Sequence, residues 1–173
     1  MHGLNHFDSA GNARMVDVGD KAITRRTATA GAIVRMKRST ANIIASGESK
    51  KGDVLGTARI AGIMGSKATA NLIPMCHPIP IDSVDIEFEI RDSDGESAEL
   101  VVTSVVSSTG RTGVEMEALT CAATTALTVY DMCKSVDREM AIREIHLIEK
   151  TGGKSGHFKR NEPEAPANGE DNA

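Results

Sequence analysis

Two side chains able to exchange a proton lie one helical turn apart: Asp131 and Lys134. Residues three apart on a helix share a face, and a carboxylate and an ammonium so placed can act as base and acid. The same face continues towards the N-terminus as a line of polar side chains: Glu117, Thr120, Thr124 and Thr128. An alternative interpretation is that the threonines bond to their own helix and the charges mark its ends.

The helix that carries these residues is predicted within residues 112–137. It would contain about 22 residues and measure roughly 33 Å. Thr112 and Glu115 have the spacing of a capping box at its start. The other side chains are mostly apolar, so we expect other elements to cover the helix. Glu117 and Asp131 would lie about 21 Å apart along the axis, so one nucleotide-sized ligand would contact both only if they came from two chains.

A proline-rich loop over residues 71–80 holds Met75, Cys76 and His77. Proline restricts its own backbone and that of the preceding residue, so the loop is stiff and suited to ligand contacts. An alternative is that His77 is only a hydrogen-bonded loop residue. A cysteine and a histidine fall short of the three or four ligands of a zinc site. We therefore predict no metal.

A glycine-rich turn over residues 150–156 reads K-T-G-G-K-S-G. It is not a P-loop, because Ile148 stands where the first glycine of that motif belongs. Its backbone N–H groups and lysines could still hold an anion. Basic side chains next to glycines or element ends suggest a polyphosphate ligand, although each could be a solvated surface residue; they are Arg26, Lys51, Lys67, Lys150 and Lys154.

Composition narrows the class of protein. The 173 residues predict a loosely ordered segment over 1–20, one α+β domain over 21–160 and a disordered tail over 161–173. A net charge of -4, three phenylalanines, one tyrosine and no tryptophan argue against a nucleic-acid partner. No apolar run is long enough to span a membrane. The three cysteines lack a disulfide pattern, and no signal peptide is apparent, which together indicate the cytoplasm.

The alternation of apolar and polar side chains predicts strands over residues 27–37, 84–92, 97–106 and 140–150. Two helical segments follow the first strand, and the long helix precedes the last. This order predicts a ferredoxin-like α+β fold, an antiparallel sheet with helices packed on one face.

Several motifs together resemble those of the cyclic pyranopterin monophosphate synthase family, the molybdenum cofactor biosynthesis protein C. The resemblance runs from about Asp8 to Lys159. The motifs, in chain order, are M-V-D-V, K-G-D-V, A-R-I-A-G-I, L-I-P-M-C-H-P, T-G-V-E-M-E-A-L-T, Y-D-M-C-K and K-T-G-G-K-S-G.

The resemblance implies a lyase that converts (8S)-3',8-cyclo-7,8-dihydroguanosine 5'-triphosphate to cyclic pyranopterin monophosphate and pyrophosphate. It implies no cofactor, a substrate supplied by a radical SAM enzyme acting on GTP, and a hexamer of three dimers with active sites between subunits. Asp131 and Lys134 would be catalytic. The implied substrate-binding residues are Met75, Cys76, His77, Met116, Glu117, Lys51, Lys67 and Lys154.

Two other functions are compatible with the composition. A ferredoxin-like regulatory module could bind a phosphate-bearing ligand without catalysis, but this leaves the charged residues on an apolar helix unexplained. A scaffold protein would explain the alanine- and glycine-rich helices, but not the lysines beside glycine-rich turns. Release of pyrophosphate from the cyclised GTP derivative would separate these three functions.

Overall fold

A five-stranded antiparallel sheet, in the order β2-β3-β1-β4-β5, forms the centre of the molecule. The structure is a computed structural model that describes residue 7 and residues 10–161. The elements are β1 (Thr24–Lys37), α1 (Arg38–Ser46), α2 (Val54–Lys67), α3 (Thr69–Leu72), β2 (Ser83–Asp92), β3 (Ser97–Gly110), α4 (Glu115–Cys133), β4 (Ala141–Thr151) and β5 (Phe158–Lys159).

Buried and more exposed side chains alternate along β3, as expected for a strand with one face in the core. Every second side chain from Ala98 to Val106 is buried, because successive residues of a strand point to opposite faces. In the ladder, Val102 is opposite Ala32 on one side and Phe88 on the other. The predicted hairpin of β2 and β3 is therefore confirmed. The two-residue strand β5 was not predicted.

The helices pack on the sheet as the ferredoxin-like prediction requires. Helix α4 contacts β1, β3 and β4, and α2 packs beside it. The side chains of α4 that face the sheet are small or medium in size, and form one core with the strands: Ala118, Cys121, Ala122, Ala126 and Val129. The α+β, ferredoxin-like fold is confirmed.

The predicted start of α4 is wrong. The helix begins at Glu115, its N-cap is Val114, and no side chain bonds to the first turn as a cap. Instead, the Glu115 carboxylate lies over Gly113, where an added Cβ would overlap it. The helix has 19 residues and Lys134 occupies its C-cap. Glu117 lies in the first turn and Asp131 in the last, so the predicted separation of these two residues along the axis stands.

Glycines bring α2 close to α4. A Cβ at Gly62 would overlap Thr125 Oγ1 and Ile86, and one at Gly65 would overlap Thr124. The sequence predicted close backbone approach at these glycines, but towards the sheet or a second subunit. The main partner is α4 of the same chain, with Ile86 of the sheet a further contact at Gly62. This contact holds α4 against a second helix along part of its length.

Both termini extend beyond the described residues. Of the tail predicted over 161–173, only Asn161 is described, so the predicted disorder lies outside the described part of the chain. From residue 10 to residue 23 the described chain contains no helix or strand, apart from a single bridge between Phe7 and Ala13. No helix within the described residues has the length and hydropathy needed to cross a bilayer.

Candidate active site

A cavity of about 290 Å³ lies at the start of α4. It brings together the two segments that the resemblance assigned to substrate binding, residues 75–77 of the proline-rich loop and Met116 and Glu117 of the helix. The remaining walls come from the residues just before α4 and from the N-terminal segment: Val16, Val18, Lys21, Thr112, Gly113 and Glu115.

Backbone and side-chain bonds fix the loop that forms one wall of this cavity. The Cys76 N–H donates to the Ile73 carbonyl at 3.0 Å. Further along, the Ser108 hydroxyl of β3 donates to the Pro80 carbonyl at 2.6 Å. The first bond closes a turn within the loop and the second ties its far end to β3, which agrees with the stiffness predicted from its prolines.

Glu117 is the more buried of the two acidic groups that line this cavity, and it is only 4% exposed. Burial raises the pKa of its carboxyl above the ordinary value, and the nearby charge of Glu115 raises it further, although a backbone hydrogen bond acts in the opposite direction. Burial, together with the charge of Glu117, also raises the pKa of the Cys76 thiol. The cavity therefore favours a neutral thiol and makes Glu117 easier to protonate than an exposed glutamate.

A second cavity of about 560 Å³ adjoins the first, since Lys21 lines both. Lys21, Arg26 and Lys154 contribute positive charge to it, against Asp17 and Asp20. These three basic groups come from separate segments of the chain. The cavity is therefore suited to an anion that carries several charges.

The Arg26 guanidinium is held in place at the edge of this second cavity. Its Nε donates to the Gly110 carbonyl at 3.0 Å, and one terminal nitrogen donates to the Arg111 carbonyl at 3.1 Å. Gly153 lies against it with a φ of 74°, and a Cβ there would overlap the guanidinium. The glycine-rich turn and the Arg26 guanidinium thus form one surface, and a side chain at residue 153 would prevent this contact.

The Asp131–Lys134 pair lies at the opposite end of α4. Lys134 Nζ is 2.7 Å from Asp131 Oδ1, and Lys51 Nζ donates to the Asp131 carbonyl at 2.9 Å. The hydrogen bond and charge of Lys134, with a further contribution from Lys51, lower the pKa of Asp131. The same hydrogen bond raises the pKa of Lys134. In the single chain, Asp131 is therefore ionised and Lys134 protonated near neutral pH.

The surroundings of this pair differ from those expected of residues on an apolar helix. The side chains of Asp131 and Lys134 are 63% and 52% exposed. A cavity of about 340 Å³ next to them is lined in part by Lys51, Met132 and Cys133. The two charges lie beside a cavity without being enclosed by it, because they occupy the exposed side of the last turn, whereas Val129 and Cys133 occupy its buried side.

Two of the three threonines on the polar line, Thr124 and Thr128, behave as the structural interpretation predicted. Thr124 Oγ1 donates to the Thr120 carbonyl, and Thr128 Oγ1 donates to the Thr124 carbonyl at 2.7 Å. They satisfy their hydroxyls within α4, so they do not extend the site along the helix.

The structure does not bring every predicted residue to a cavity. Lys67 is exposed in the last turn of α2 and lines none of the three cavities described above. Lys150 donates to Ser155 within the glycine-rich turn. Lys21 was missed as a site residue. Its position shortly after the M-V-D-V motif was the one signal that could have suggested it.

No group of three or more histidine, cysteine, aspartate or glutamate side chains that could hold a metal ion occurs within the described residues. The three cysteines are all free. The side chains that line the cavities at the two ends of α4 include carboxylates, thiols, amines, a guanidinium and an imidazole.

Known proteins resemble the chain over nearly its whole length. A relative from Clostridium botulinum, named cyclic pyranopterin monophosphate synthase, is 56% identical over 155 residues, which cover 90% of this chain and 96% of the relative. A Herpetosiphon aurantiacus protein of the same name is 54% identical, with coverage of 90% and 93%. Cyclic pyranopterin monophosphate synthase 3 of Mycobacterium bovis is 53% identical, with coverage of 96% and 92%. The MoaC family model matches residues 15–153. The chain belongs to the MoaC family.

Proposed function

We propose that the protein is a cyclic pyranopterin monophosphate synthase, a lyase of molybdenum cofactor biosynthesis. It converts (8S)-3',8-cyclo-7,8-dihydroguanosine 5'-triphosphate to cyclic pyranopterin monophosphate and releases pyrophosphate. The observation that carries this proposal is the 56% identity, over 90% of the chain, to a protein of that name. The cavities add a physical argument, since a triphosphate needs several fixed positive charges and a purine-derived ring needs a partly apolar recess.

The triphosphate would bind in the cavity lined by Lys21, Arg26 and Lys154. Charge-assisted hydrogen bonds from these groups are stronger than neutral ones, and they would stabilise pyrophosphate as it leaves. The purine-derived ring would lie in the adjoining cavity, against Met75, Cys76 and His77 on one side and Met116 and Glu117 on the other.

Asp131 and Lys134 would transfer protons while the purine-derived ring opens and the pyranopterin ring closes. A sugar hydroxyl would attack the α-phosphate as it loses its proton, and pyrophosphate would depart towards the basic cavity. The reaction is intramolecular, so much of the rate would come from holding the reacting atoms in position. Bound substrate would compete with Lys134 for Asp131, which would free the carboxylate to act as a base.

These roles require two chains. Glu117 and Asp131 are fourteen residues apart in α4, so about 21 Å separates them along its axis. The Asp131 end of one chain would therefore face the Glu117 cavity of a neighbour, in a hexamer built from three dimers. The exposure of Asp131 and Lys134 in the single chain supports this arrangement, because a partner could cover them. We place Lys67 in the substrate site only by its motif.

The substrate would come from a radical SAM enzyme that acts on GTP. We assign the reaction to the cytoplasm, where the three free thiols would stay reduced.

The direct experiment is to mix the purified protein with the cyclised GTP substrate and to measure pyrophosphate release. We expect turnover without an added cofactor. Tight binding of the substrate with no pyrophosphate would contradict the proposal and favour a regulatory module.

Mixed assemblies would test the two-chain site. Asp131→Ala and Glu117→Ala chains should each be inactive alone, and co-assembly should restore part of the activity, because some sites receive both intact residues. No recovery from assemblies shown by mass spectrometry to contain both chains would contradict the two-chain site, while leaving the activity itself in place.

A further inference from the structure

A buried carboxylate lies just beyond the end of α4 that carries Asp131 and Lys134. Asp137 is only 2% exposed. Its Oδ2 accepts the Lys37 N–H at 2.8 Å and the Thr40 hydroxyl at 3.2 Å, and its Oδ1 accepts the Glu139 N–H at 3.2 Å. One side chain thus joins the loop after α4 to the junction of β1 and α1.

Charged groups around Asp137 add to this attachment. Lys37 Nζ lies 4.0 Å from Asp137 Oδ1 and 3.3 Å from Glu139 Oε2. Lys37 is also the N-cap residue of α1, which has no cap from its own sequence. The Asp137 carboxylate instead accepts the N–H of this N-cap residue and the hydroxyl of Thr40 in the first turn, at the end of a helix where negative charge is favourable.

The same attachment connects the elements that carry the reactive groups. Asp137 follows Lys134 by three residues, and its N–H donates to the Cys133 carbonyl at 3.1 Å, so it is rigidly continuous with α4. On the other side, α1 leads through a short loop to Lys51, whose Nζ reaches the Asp131 carbonyl. Asp137 and Lys51 therefore both connect α1 and the loop after it to the last turn of α4.

We propose that Asp137 is a positioning residue for the reaction. Its carboxylate fixes Lys51 relative to the Asp131–Lys134 pair. This inference rests on the proposed function. The Asp137 side chain is 1% exposed at the wall of a cavity of about 640 Å³, and its oxygens already accept the bonds named above, so we assign it no contact with substrate. Its effect passes through the backbone of α1 and the last turn of α4.

The expected kinetic effect follows from the location of Asp137. Without its carboxylate, the Thr40 hydroxyl and the Lys37 N–H would lack their acceptor, and the junction would rearrange to satisfy them. A displacement of about 1 Å in a reacting group can reduce turnover roughly 100-fold. The cavities proposed to bind the substrate are lined by neither α1 nor the loop after α4, so KM should change little.

The experiment compares Asp137→Ala, Asp137→Asn and Val102→Ala by pyrophosphate release. We expect kcat of Asp137→Ala to fall by about 10- to 100-fold, with KM within about twofold of wild type. Asp137→Asn should regain most of the loss, because its amide oxygen can still accept hydrogen bonds. Val102→Ala opens a cavity in the centre of the sheet and should keep the wild-type kcat while it lowers Tm.

A double-mutant cycle with Lys51→Ala identifies the path of the effect. If Asp137 acts through Lys51, the loss in Asp137→Ala/Lys51→Ala should be clearly smaller than the product of the two single losses. If Asp137→Ala fails to fold, Thr40→Val removes one bond of the same attachment and should show a smaller loss of kcat with unchanged KM.

Three results would overturn the inference. These are unchanged kcat in Asp137→Ala (or in Thr40→Val, if that variant replaces it), an equal loss in Val102→Ala, and independent, multiplying effects with Lys51→Ala. Inactivity of the wild-type protein would instead refute the proposed function, so the two failures can be distinguished.

Discussion

At the start of α4, Glu117 is 4% exposed within a cavity, whereas near its end the side chain of Asp131 is 63% exposed. The first environment shifts the pKa of a carboxyl upwards through burial, and the second shifts it downwards through an ion pair. One helix thus presents an acid that is easily protonated and an acid that stays ionised.

The comparison indicates how the work of the proposed site is divided. The Glu117 end has walls from three parts of the chain and adjoins a basic cavity, which suits recognition of a large anionic ligand. The Asp131 end has reactive groups but few walls, which suits chemistry only when another surface encloses it. Variants at each end should therefore affect different kinetic constants.

The largest effect is expected at the exposed end. Asp131→Asn preserves the shape of the side chain but removes the base, so kcat should fall by about 100- to 10,000-fold while substrate binding persists. Pyrophosphate release and calorimetric binding measure the two quantities separately. Asp92→Asn is the matched control, because Asp92 is also an exposed, ion-paired carboxylate. Near-normal turnover in Asp131→Asn would remove Asp131 from catalysis.

A smaller effect, on KM, is expected at the basic cavity. In Gly153→Ala the new Cβ would displace the Arg26 guanidinium, so KM should rise by roughly tenfold, the equivalent of one charged hydrogen bond, with less change in kcat. Gly156→Ala is the control, since Gly156 shares the turn and a positive φ of 67° but has open space around it. Steady-state kinetics should separate the two variants. Equal KM values for them would show that Arg26 is not involved.

The smallest effect concerns pH and the buried acid. Because burial raises the pKa of Glu117 above 4.5, its folded form binds a proton more tightly than its unfolded form. The Glu117 carboxyl makes its full contribution to the free energy of unfolding below pH 4.5. That contribution is lost as the pH rises through the pKa that Glu117 has in the folded protein.

Glu117→Gln should therefore lose less stability than wild type as pH rises from about 4.5 to 7, which thermal unfolding at a series of pH values measures. Glu87→Gln, on the exposed face of β2, is the control and should follow the wild-type curve. Parallel curves for wild type and Glu117→Gln would mean that Glu117 ionises freely in the folded protein.

Much of the fold followed from local patterns in the sequence. The alternation from Val84 to Val106 predicted the β2–β3 hairpin, because one face of these strands is buried and the pattern has a period of two. The start of α4 did not follow, since Thr112 and Glu115 have capping-box spacing but Gly113 lets the Glu115 side chain fold back over it. Strand β5 was missed because two residues carry no periodic signal.

The candidate site was predicted in part. The resemblance named the segments at residues 75–77 and 116–117, and the structure places both in one cavity. Lys21 was not predicted, because the N-terminal segment has no regular structure and only the nearby M-V-D-V motif pointed to this residue. The exposure of Asp131 also could not be derived, since the apolar pattern of α4 does not show which side of its last turn is left uncovered.

The length of α4 has a consequence for assemblies that mix normal and defective chains. In the proposed assembly each chain contributes the first turn of α4 to one site and the last turn to another. The two turns are too far apart along the helix to contact the same ligand. A chain damaged at both ends would therefore disable two sites, each of which also uses residues of a neighbouring chain. Faulty copies made alongside normal ones would reduce output by more than their own share.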